Sequence, residues 1–426
     1  MRWDTQAPLL RQSVMHILYV SQYFPPEPGA PAARVSELAR AWVQAGHQVT
    51  VLTGLPNHPT GIVPPEYQRR VLVDEDFHGV RVVRTWIYAA PNRGRLRRSL
   101  AYASFAASAA LWGQLHVGHP SVVVATSPQF LCALAGHAIA RTRSLPFVFE
   151  VRDLWPESIV AVGALPEGHP IVRGLTWVEE YLYRQADRIV VVTDSFAARL
   201  RQRGVPADKI EVVKNGVDLE RFVPRSRDTP LRERLGYAGK FVVSYVGTHG
   251  MAHGLDSVLD VAAALRPQDQ IRFLFVGEGA ERRRLEARAK AELLNNVLFL
   301  GALPRDAMGE VYATSDLCLV PLRKTELFHT VLPSKIFEIL GMARPVLLSV
   351  DGEARALVEA SGGGVFVPPE DAPAMTEAIL RLARDPAACQ EMGARGRAYV
   401  KEHFDRKQLA ARYLAILEEV AKQGRE

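Results

Sequence analysis

The residues best suited to chemistry lie in one stretch, Leu332-Pro333-Ser334-Lys335-Ile336-Phe337-Glu338-Ile339-Leu340-Gly341-Met342-Ala343-Arg344-Pro345. Pro333 suits the start of a helix and not its interior. Ser334 is a favoured N-cap, and Gly341 followed by Pro345 marks a helix end. A helix start carries unpaired N–H groups and partial positive charge, so it can hold an anion. Lys335 adds a full charge there. Glu338 follows one turn later, on about the same side. That spacing suits a diphosphate at Lys335 and a ribose hydroxyl at Glu338. A capped surface helix with Lys335 and Glu338 in water would carry the same residues.

Other segments could contribute. Phe24-Pro25-Pro26-Glu27-Pro28-Gly29-Ala30-Pro31 follows the first apolar strand. Gly29 lets backbone approach a ligand closely; a stiff proline-rich turn is the alternative. Arg152 and Asp153 follow the strand Phe147–Val151. Arg152 cannot act as a base, but it can bind a phosphate or an acceptor oxygen. A supporting Arg–Asp pair is the alternative, and Trp155 suits a sugar face or a core equally. Gly277-Glu278-Gly279 ends another strand, although Gly-x-Gly alone is a weak nucleotide signal. Asp74-Glu75-Asp76 has the look of an Asp-x-Asp metal motif. It runs straight into a turn at Phe77-His78-Gly79, so it reads as a decoy. The twelve histidines show no metal-ligand spacing. No metal and no cofactor are expected.

The elements that must hold these residues alternate. Strands are predicted at Val14–Val20, Gln48–Thr53, Val80–Thr85, Ser121–Ala125, Phe147–Val151 and Arg188–Val192, with helices at Pro31–Ala45 and Leu131–Thr142. Asn215-Gly216 reads as a turn, and the polar run Arg225–Pro230 as a linker. The alternation then restarts with strands at Phe241–Val246, Ile271–Val276, Val297–Leu300, Leu317–Val320 and Pro345–Val350. Helices are predicted at Leu255–Leu265, Ala280–Glu292, from Pro373, and at Lys407–Lys422. Alternating strands and helices imply parallel, doubly wound sheets. The 426 residues exceed what one core usually supports. The chain is therefore read as α/β, with two Rossmann-like domains facing a central cleft.

Composition narrows the class further. With 48% hydrophobic and 23% charged residues, the chain is of globular type. Its net charge of +6 favours phosphates or anionic lipid surfaces over basic partners. Three scattered cysteines, Cys132, Cys318 and Cys389, form no disulfide or metal pattern and fit a reducing cytoplasm. Residues 1–13 make a poor signal peptide, and no apolar run reaches membrane-spanning length. Arg93-Gly94-Arg95-Leu96-Arg97-Arg98 precedes an apolar helix reaching Trp112. That arrangement suits peripheral contact with an anionic membrane, or else a packed helix with a solvated loop.

Five motifs in order resemble glycosyltransferase family 4, whose members have the GT-B fold. They are the Gly29 loop with Ala45-Gly46-His47-Gln48-Val49; Lys214-Asn215-Gly216-Val217-Asp218; Tyr245-Val246-Gly247-Thr248; Val276-Gly277-Glu278-Gly279 with Phe299-Leu300-Gly301; and the stretch with Glu338, Gly341 and Arg344-Pro345-Val346. Phe149-Glu150-Val151-Arg152-Asp153-Leu154-Trp155-Pro156-Glu157-Ser158 is similar to bacterial O-antigen, capsule and exopolysaccharide transferases of the L-fucosamine transferase type. The resemblance implies an acceptor domain at 14–224, a linker at 225–230 and a nucleotide-sugar domain at 231–404. A terminal helix at 405–426 would cross back to the first domain.

The family's site residues transfer by position. Gly29, Gly247, Thr248, Ser334 and Lys335 would serve the donor phosphates, and Glu338 the ribose. Gly277, Glu278, Gly279, Leu303 and Arg305 would lie on the nucleobase side, with Arg152 and Asp153 at the reacting centre. Three charged positions depart from the family. The first of two expected glutamates falls at Thr330, and the usual Arg and Lys fall at Thr248 and His253. Lys335, the backbone at 329–332, and Arg323 or Lys324 are the expected compensations. The implied activity is a retaining transfer from a nucleotide-diphospho sugar to a polyprenyl-diphosphate-linked saccharide, in the cytoplasm and with no nucleic acid partner. A GT-B nucleotide-sugar epimerase and a non-catalytic nucleotide-sugar-binding protein are the alternatives. A dehydrogenase is disfavoured, because no Gly-x-Gly-x-x-Gly follows the first strand.

Overall fold

The computed structural model describes residues 14–58, 60–90, 95–127, 131–161, 163 and 165–424. The expected extension 1–13, with Arg93 and Gly94 of the basic cluster, lies outside these residues.

In the first half, mostly apolar runs, and one acidic run at β3, form β1 (His16–Val20), β2 (Gln48–Gly54), β3 (Leu72–Phe77), β4 (Val80–Thr85), β5 (Val122–Thr126), β6 (Phe147–Val151), β7 (Arg188–Val191) and β8 (Ile210–Val212). Their sheet order is β3-β4-β2-β1-β5-β6-β7-β8. β1 is parallel to both neighbours, with Leu18 opposite Thr50 and Val123. β5 and β6 are buried along their whole length. A parallel sheet covered on both faces demands this, so such strands read as unbroken apolar runs.

β3 was not predicted. It pairs antiparallel with β4, and its three acids are spent locally. Asp74 meets Arg81 at 2.5 Å, Glu75 meets the buried Arg84 at 2.6 Å, and Asp76 accepts the Gly79 N–H at 3.2 Å.

The second half forms β9 (Phe241–Val246), β10 (Ile271–Val276), β11 (Val297–Leu300), β12 (Leu317–Pro321), β13 (Val346–Ser349) and β14 (Gly364–Phe366). Every pair in the order β11-β10-β9-β12-β13-β14 is parallel. The order runs outward from β9 on one side and from β12 on the other. The loops leaving these two neighbours therefore part company, which opens a crevice at their carboxyl ends. Alternation along β9 buries Val242 and Val246 in one apolar cluster and Phe241, Val243 and Tyr245 in a second.

The chain makes two compact units. One takes in Met1–Glu150, Gln185–Arg188 and Leu414–Glu426, the other Val151–Arg184 and Ile189–Tyr413. In the first, Glu419 of the terminal helix meets Arg188 at 2.9 Å. Two local readings need correction. Asn215-Gly216 is not a free turn. A Cβ at Gly216 would lie 2.4 Å from the Phe404 carbonyl, because Val217 and Asp405 run side by side in a parallel bridge there. The run Arg225–Pro230 is pinned rather than loose. Thr229 caps the helix Pro230–Arg234 through the Arg232 N–H at 3.1 Å, and Arg227 meets Asp316 at 3.1 Å. All three cysteines are buried and outside any disulfide. Burial pushes the Cys132 thiol up to about 12, and the Cys318 and Cys389 thiols to about 11.

Candidate active site

The crevice of the second sheet is floored by two glycine loops laid on each other. Gly247 donates to the Val276 carbonyl at 2.9 Å, and His249 to the Glu278 carbonyl at 2.8 Å. A Cβ on Gly277 would sit 2.0 Å from the Gly247 oxygen, and one on Gly279 would sit 2.3 Å from the His249 oxygen. The glycines of Gly-Glu-Gly thus serve backbone-to-backbone packing. Gly247 and Gly277 also hold φ values of +142° and +136°, which disfavour a side chain. Glu278 pairs with Arg282, on the helix that follows.

Lys335 reaches into this floor. Its Nζ is buried without a hydrogen-bond partner among the described residues. It stands 4.0 Å from the centroid of the Tyr245 ring. A Cβ on Gly247 would come within 2.7 Å of it, so glycine leaves the amine its space. Burial pulls the amine's pKa down to about 7, with Glu338 opposing the shift. The surface-helix alternative, with a solvated lysine, is therefore set aside. Tyr245 anchors the loop through its hydroxyl, which donates to the Thr248 carbonyl at 2.6 Å. The Thr248 side chain itself is exposed. His253, at the position of a usual family lysine, packs edge-on to Tyr245 with ring centroids 5.8 Å apart. Burial and the neighbouring Lys335 lower its pKa to about 3. His249, also against Tyr245, is lowered to about 4 by burial, then by Arg282 and Lys335. Neither imidazole supplies a positive charge at neutral pH.

The expected N-cap at Ser334 is not formed. Ser334 is itself in the helical region, at φ −58° and ψ −26°, with no side-chain cap bond. A capping side chain needs extended backbone. Here the turn closes one residue earlier, where the Ile336 N–H reaches the Pro333 carbonyl at 3.1 Å. Helix Lys335–Gly341 continues from there.

Glu338 lies one turn further along that helix. It accepts from the Tyr312 hydroxyl at 3.1 Å and faces Arg305 at 3.6 Å. Burial raises its pKa, while Arg305 and Tyr312 oppose the rise. Arg305 and Glu338, expected on the base side and the ribose side, thus meet each other. Leu303 packs against the apolar cluster beneath them. Arg344 of the Arg-Pro-Val motif holds helix Met308–Thr314 by its carbonyls, at 3.2 Å from Tyr312 and 2.9 Å from Ala313. Among the expected compensating groups, Arg323 turns toward Glu370 at 3.9 Å and Lys324 is exposed. The Thr330 hydroxyl donates to the Leu327 carbonyl at 2.7 Å, so it does not stand in for the missing carboxylate.

The remaining candidates lie on other elements. Arg152 and Asp153 leave the end of β6. The Asp153 carboxyl bonds with Ser158, the Leu154 N–H and Trp155, and burial raises its pKa to about 6. Gly29, at φ +114°, starts the helix Ala30–Gln44, and its carbonyl accepts the Ala33 N–H at 3.1 Å. Beside it, Glu27 accepts the N–H groups of Asn57 at 3.0 Å and His58 at 2.9 Å. The helix Arg95–His116 buries Ala101, Phe105 and Ala109 but leaves Leu100, Leu111, Trp112 and Leu115 exposed. No described helix is long and apolar enough to cross a membrane.

Sequence reasoning overlooked Tyr245, His249 and Tyr312 as site residues. Tyr245 lies in Tyr245-Val246-Gly247-Thr248, where the glycine and threonine carry the phosphate signal and the ring carries none. Tyr312 carried no local signal, because its partner lies 26 residues away.

Comparison with known proteins accords with this geometry. Residues 29–216 match the glycosyl transferase 4-like domain, and residues 240–385 match the glycosyl transferases group 1 domain. The putative colanic acid biosynthesis glycosyl transferase WcaI of Escherichia coli K12 is 24% identical over 94% of this chain and 99% of its own length. Sucrose-phosphate synthase from Thermosynechococcus elongatus superposes with a TM-score of 0.78 at 21% identity, over 95% of this chain and 99% of its own. HepE of Anabaena, solved with UDP-glucose, superposes with a TM-score of 0.73 at 18% identity, over 95% of this chain and 100% of its own.

Proposed function

The chain belongs to the GT-B glycosyltransferases that join a 4-like domain to a group 1 domain, and from that premise we propose that its donor is a nucleotide-diphospho sugar. It is an enzyme that transfers sugars, and its likeness to a putative colanic acid biosynthesis transferase supports a role in cell-envelope polysaccharide synthesis. Neither the epimerase nor the binding-protein alternative gains support from them.

The observation that carries the donor reading is the buried, unpartnered Lys335 amine, with Glu338 one turn away on the same short helix. A diphosphate would occupy the amine, and the ribose would reach the Glu338 carboxylate. Arg305 and Leu303 would border the base. Gly247 leaves the space beside the amine free of a side chain, and Gly277 and Gly279 let the loop beneath pack against it. Positive charge fixed beside the departing diphosphate lowers the barrier more than a strong base would, because charge develops on the leaving group. The WcaI likeness and the HepE complex with UDP-glucose support this donor class.

The finer reading is a retaining transfer to a lipid-linked saccharide, with no metal, and with Arg152 and Asp153 near the reacting sugar. Docking of helix Arg95–His116 on an anionic membrane would bring such an acceptor to the enzyme. A thermal-shift screen of UDP, GDP and other nucleoside diphosphates, followed by product analysis with and without acceptor, tests the proposal. Stabilisation by one nucleoside diphosphate and transfer only with acceptor are expected. Donor conversion without acceptor would overturn it in favour of the epimerase.

A further inference from the structure

We infer that Tyr245 is a positioning residue for donor binding: its ring face, walled by His249 and His253, is a socket that holds the Lys335 amine for a nucleoside diphosphate. This deepens the donor reading above and rests on it. The socket stands on four contacts. The amine lies 4.0 Å from the Tyr245 centroid, within the range in which a ring face attracts a cation. The rings of His249 and His253 lie 5.6 Å and 5.8 Å from that of Tyr245. Gly247 leaves open the volume that a Cβ would close. The Tyr245 hydroxyl ties the 247–250 loop down at Thr248, so one side chain sets both the amine and the loop beneath it.

Every group facing the amine disfavours a bare charge or is neutral, apart from Glu338. Tyr245 from β9 remains protonated, since burial raises its pKa well above the ordinary value. His249 and His253 from the following loop are held neutral by burial and by Lys335 itself. Glu338, on the amine's own helix, is shared with Arg305 and Tyr312. Arg282 and Glu278 face His249 and pair with each other. Burial in these surroundings thus brings the amine to about 7. A diphosphate supplies the counter-charge that the socket lacks. Binding above neutral pH therefore takes up a proton at Lys335 Nζ, and affinity falls about tenfold for each pH unit above the amine's pKa. At pH 8 UDP is fully ionised and both imidazoles start far below that pH, so the loss of uptake in Lys335→Met assigns it to the amine.

The experiment is calorimetric titration of UDP, with GDP in parallel, into the full chain at pH 8 in two buffers of unlike ionisation enthalpy. Wild type should take up close to one proton. Lys335→Met should abolish the uptake and weaken binding at least tenfold. Tyr245→Phe keeps the ring and should keep the uptake. Tyr245→Leu should weaken diphosphate binding about 2- to 30-fold, the range of a cation–ring contact, while leaving nucleoside binding unchanged. Lys335→Met with wild-type diphosphate affinity would overturn the donor reading itself. Weakened binding in Lys335→Met, without proton uptake in wild type, would overturn the socket alone. Tyr245→Leu with wild-type diphosphate affinity would overturn the role of Tyr245; should that variant fail to fold, loss of the proton uptake in Tyr245→Phe, which keeps the ring face, would overturn it instead.

Discussion

Glu338→Gln separates a ligand role from a structural one, because the two predict opposite signs. The side chain is 17% exposed and accepts from Tyr312 at 3.1 Å. Its raised pKa means that the fold holds the ionised carboxyl at a cost. Arg305 repays little of it, since a partly exposed ion pair at 3.6 Å contributes about 0–1 kcal/mol. Glutamine keeps the Tyr312 bond and removes the buried charge, so the melting temperature should hold or rise. A ribose hydroxyl donating to a carboxylate contributes about 1.5–3 kcal/mol, against about 1 kcal/mol to a neutral amide. The variant should therefore bind nucleoside diphosphate about 2- to 30-fold more weakly. Inorganic pyrophosphate, which has no ribose, should bind both proteins equally. Calorimetry with the two ligands, beside a thermal melt, reads all three quantities. Unchanged nucleotide affinity with a lowered melting temperature would refute the ribose assignment and make Glu338 a partner of Arg305 and Tyr312 only.

Three further outcomes follow from the geometry. Gly277→Ala should lower stability and abolish nucleoside-diphosphate binding, since its Cβ would lie 2.0 Å from the Gly247 oxygen; a variant that melts and binds like wild type would show that the two loops are not locked. Burial raises the Glu27 carboxyl from 4.5 to about 7, so the folded protein keeps a proton that the unfolded chain releases. The stability linked to it is greatest below pH 4.5 and falls by about 3 kcal/mol as pH rises to about 7. Urea unfolding should show wild type losing about 2 kcal/mol relative to Glu27→Gln between pH 5 and pH 7.5, and equal differences at the two pH values would count against it. Flotation with anionic liposomes should drop when the exposed Leu111 and Leu115 are both changed to Asn; undiminished flotation would remove this helix as the contact.

Strands that lie inside parallel sheets were plain in the sequence. β9 and β10 were read at their observed ends because burial on both faces leaves largely apolar runs, broken only at Ser244 and Arg272. β3 was missed because its acids break that signal, and their partners Arg81 and Arg84 lie on the next strand. Helix Pro386–His403 was missed for another reason. Gly393 and Gly396 lie in its interior, where a Cβ would come within 2.1 Å of the Ala343 oxygen and 2.5 Å of Leu340. Close packing overrode helix propensity there. In the site, Lys335 and Glu338 were legible because both lie on one helix turn. The socket was not, because Tyr245 and Lys335 stand 90 positions apart and only the strand order joins them. Ser334 failed as a cap because backbone conformation, not residue type, decides capping.

The buried thiols open a practical route. Cys132, Cys318 and Cys389 are the chain's full complement of cysteines, and each is sheltered and held protonated at neutral pH. Reaction with maleimides or methanethiosulfonates requires an accessible thiolate. The natural chain is therefore already a silent background for site-directed labelling. A single engineered surface cysteine could carry a dye or spin label without first stripping the protein of its own sulfur, and the site chemistry could be followed spectroscopically in an otherwise unaltered enzyme.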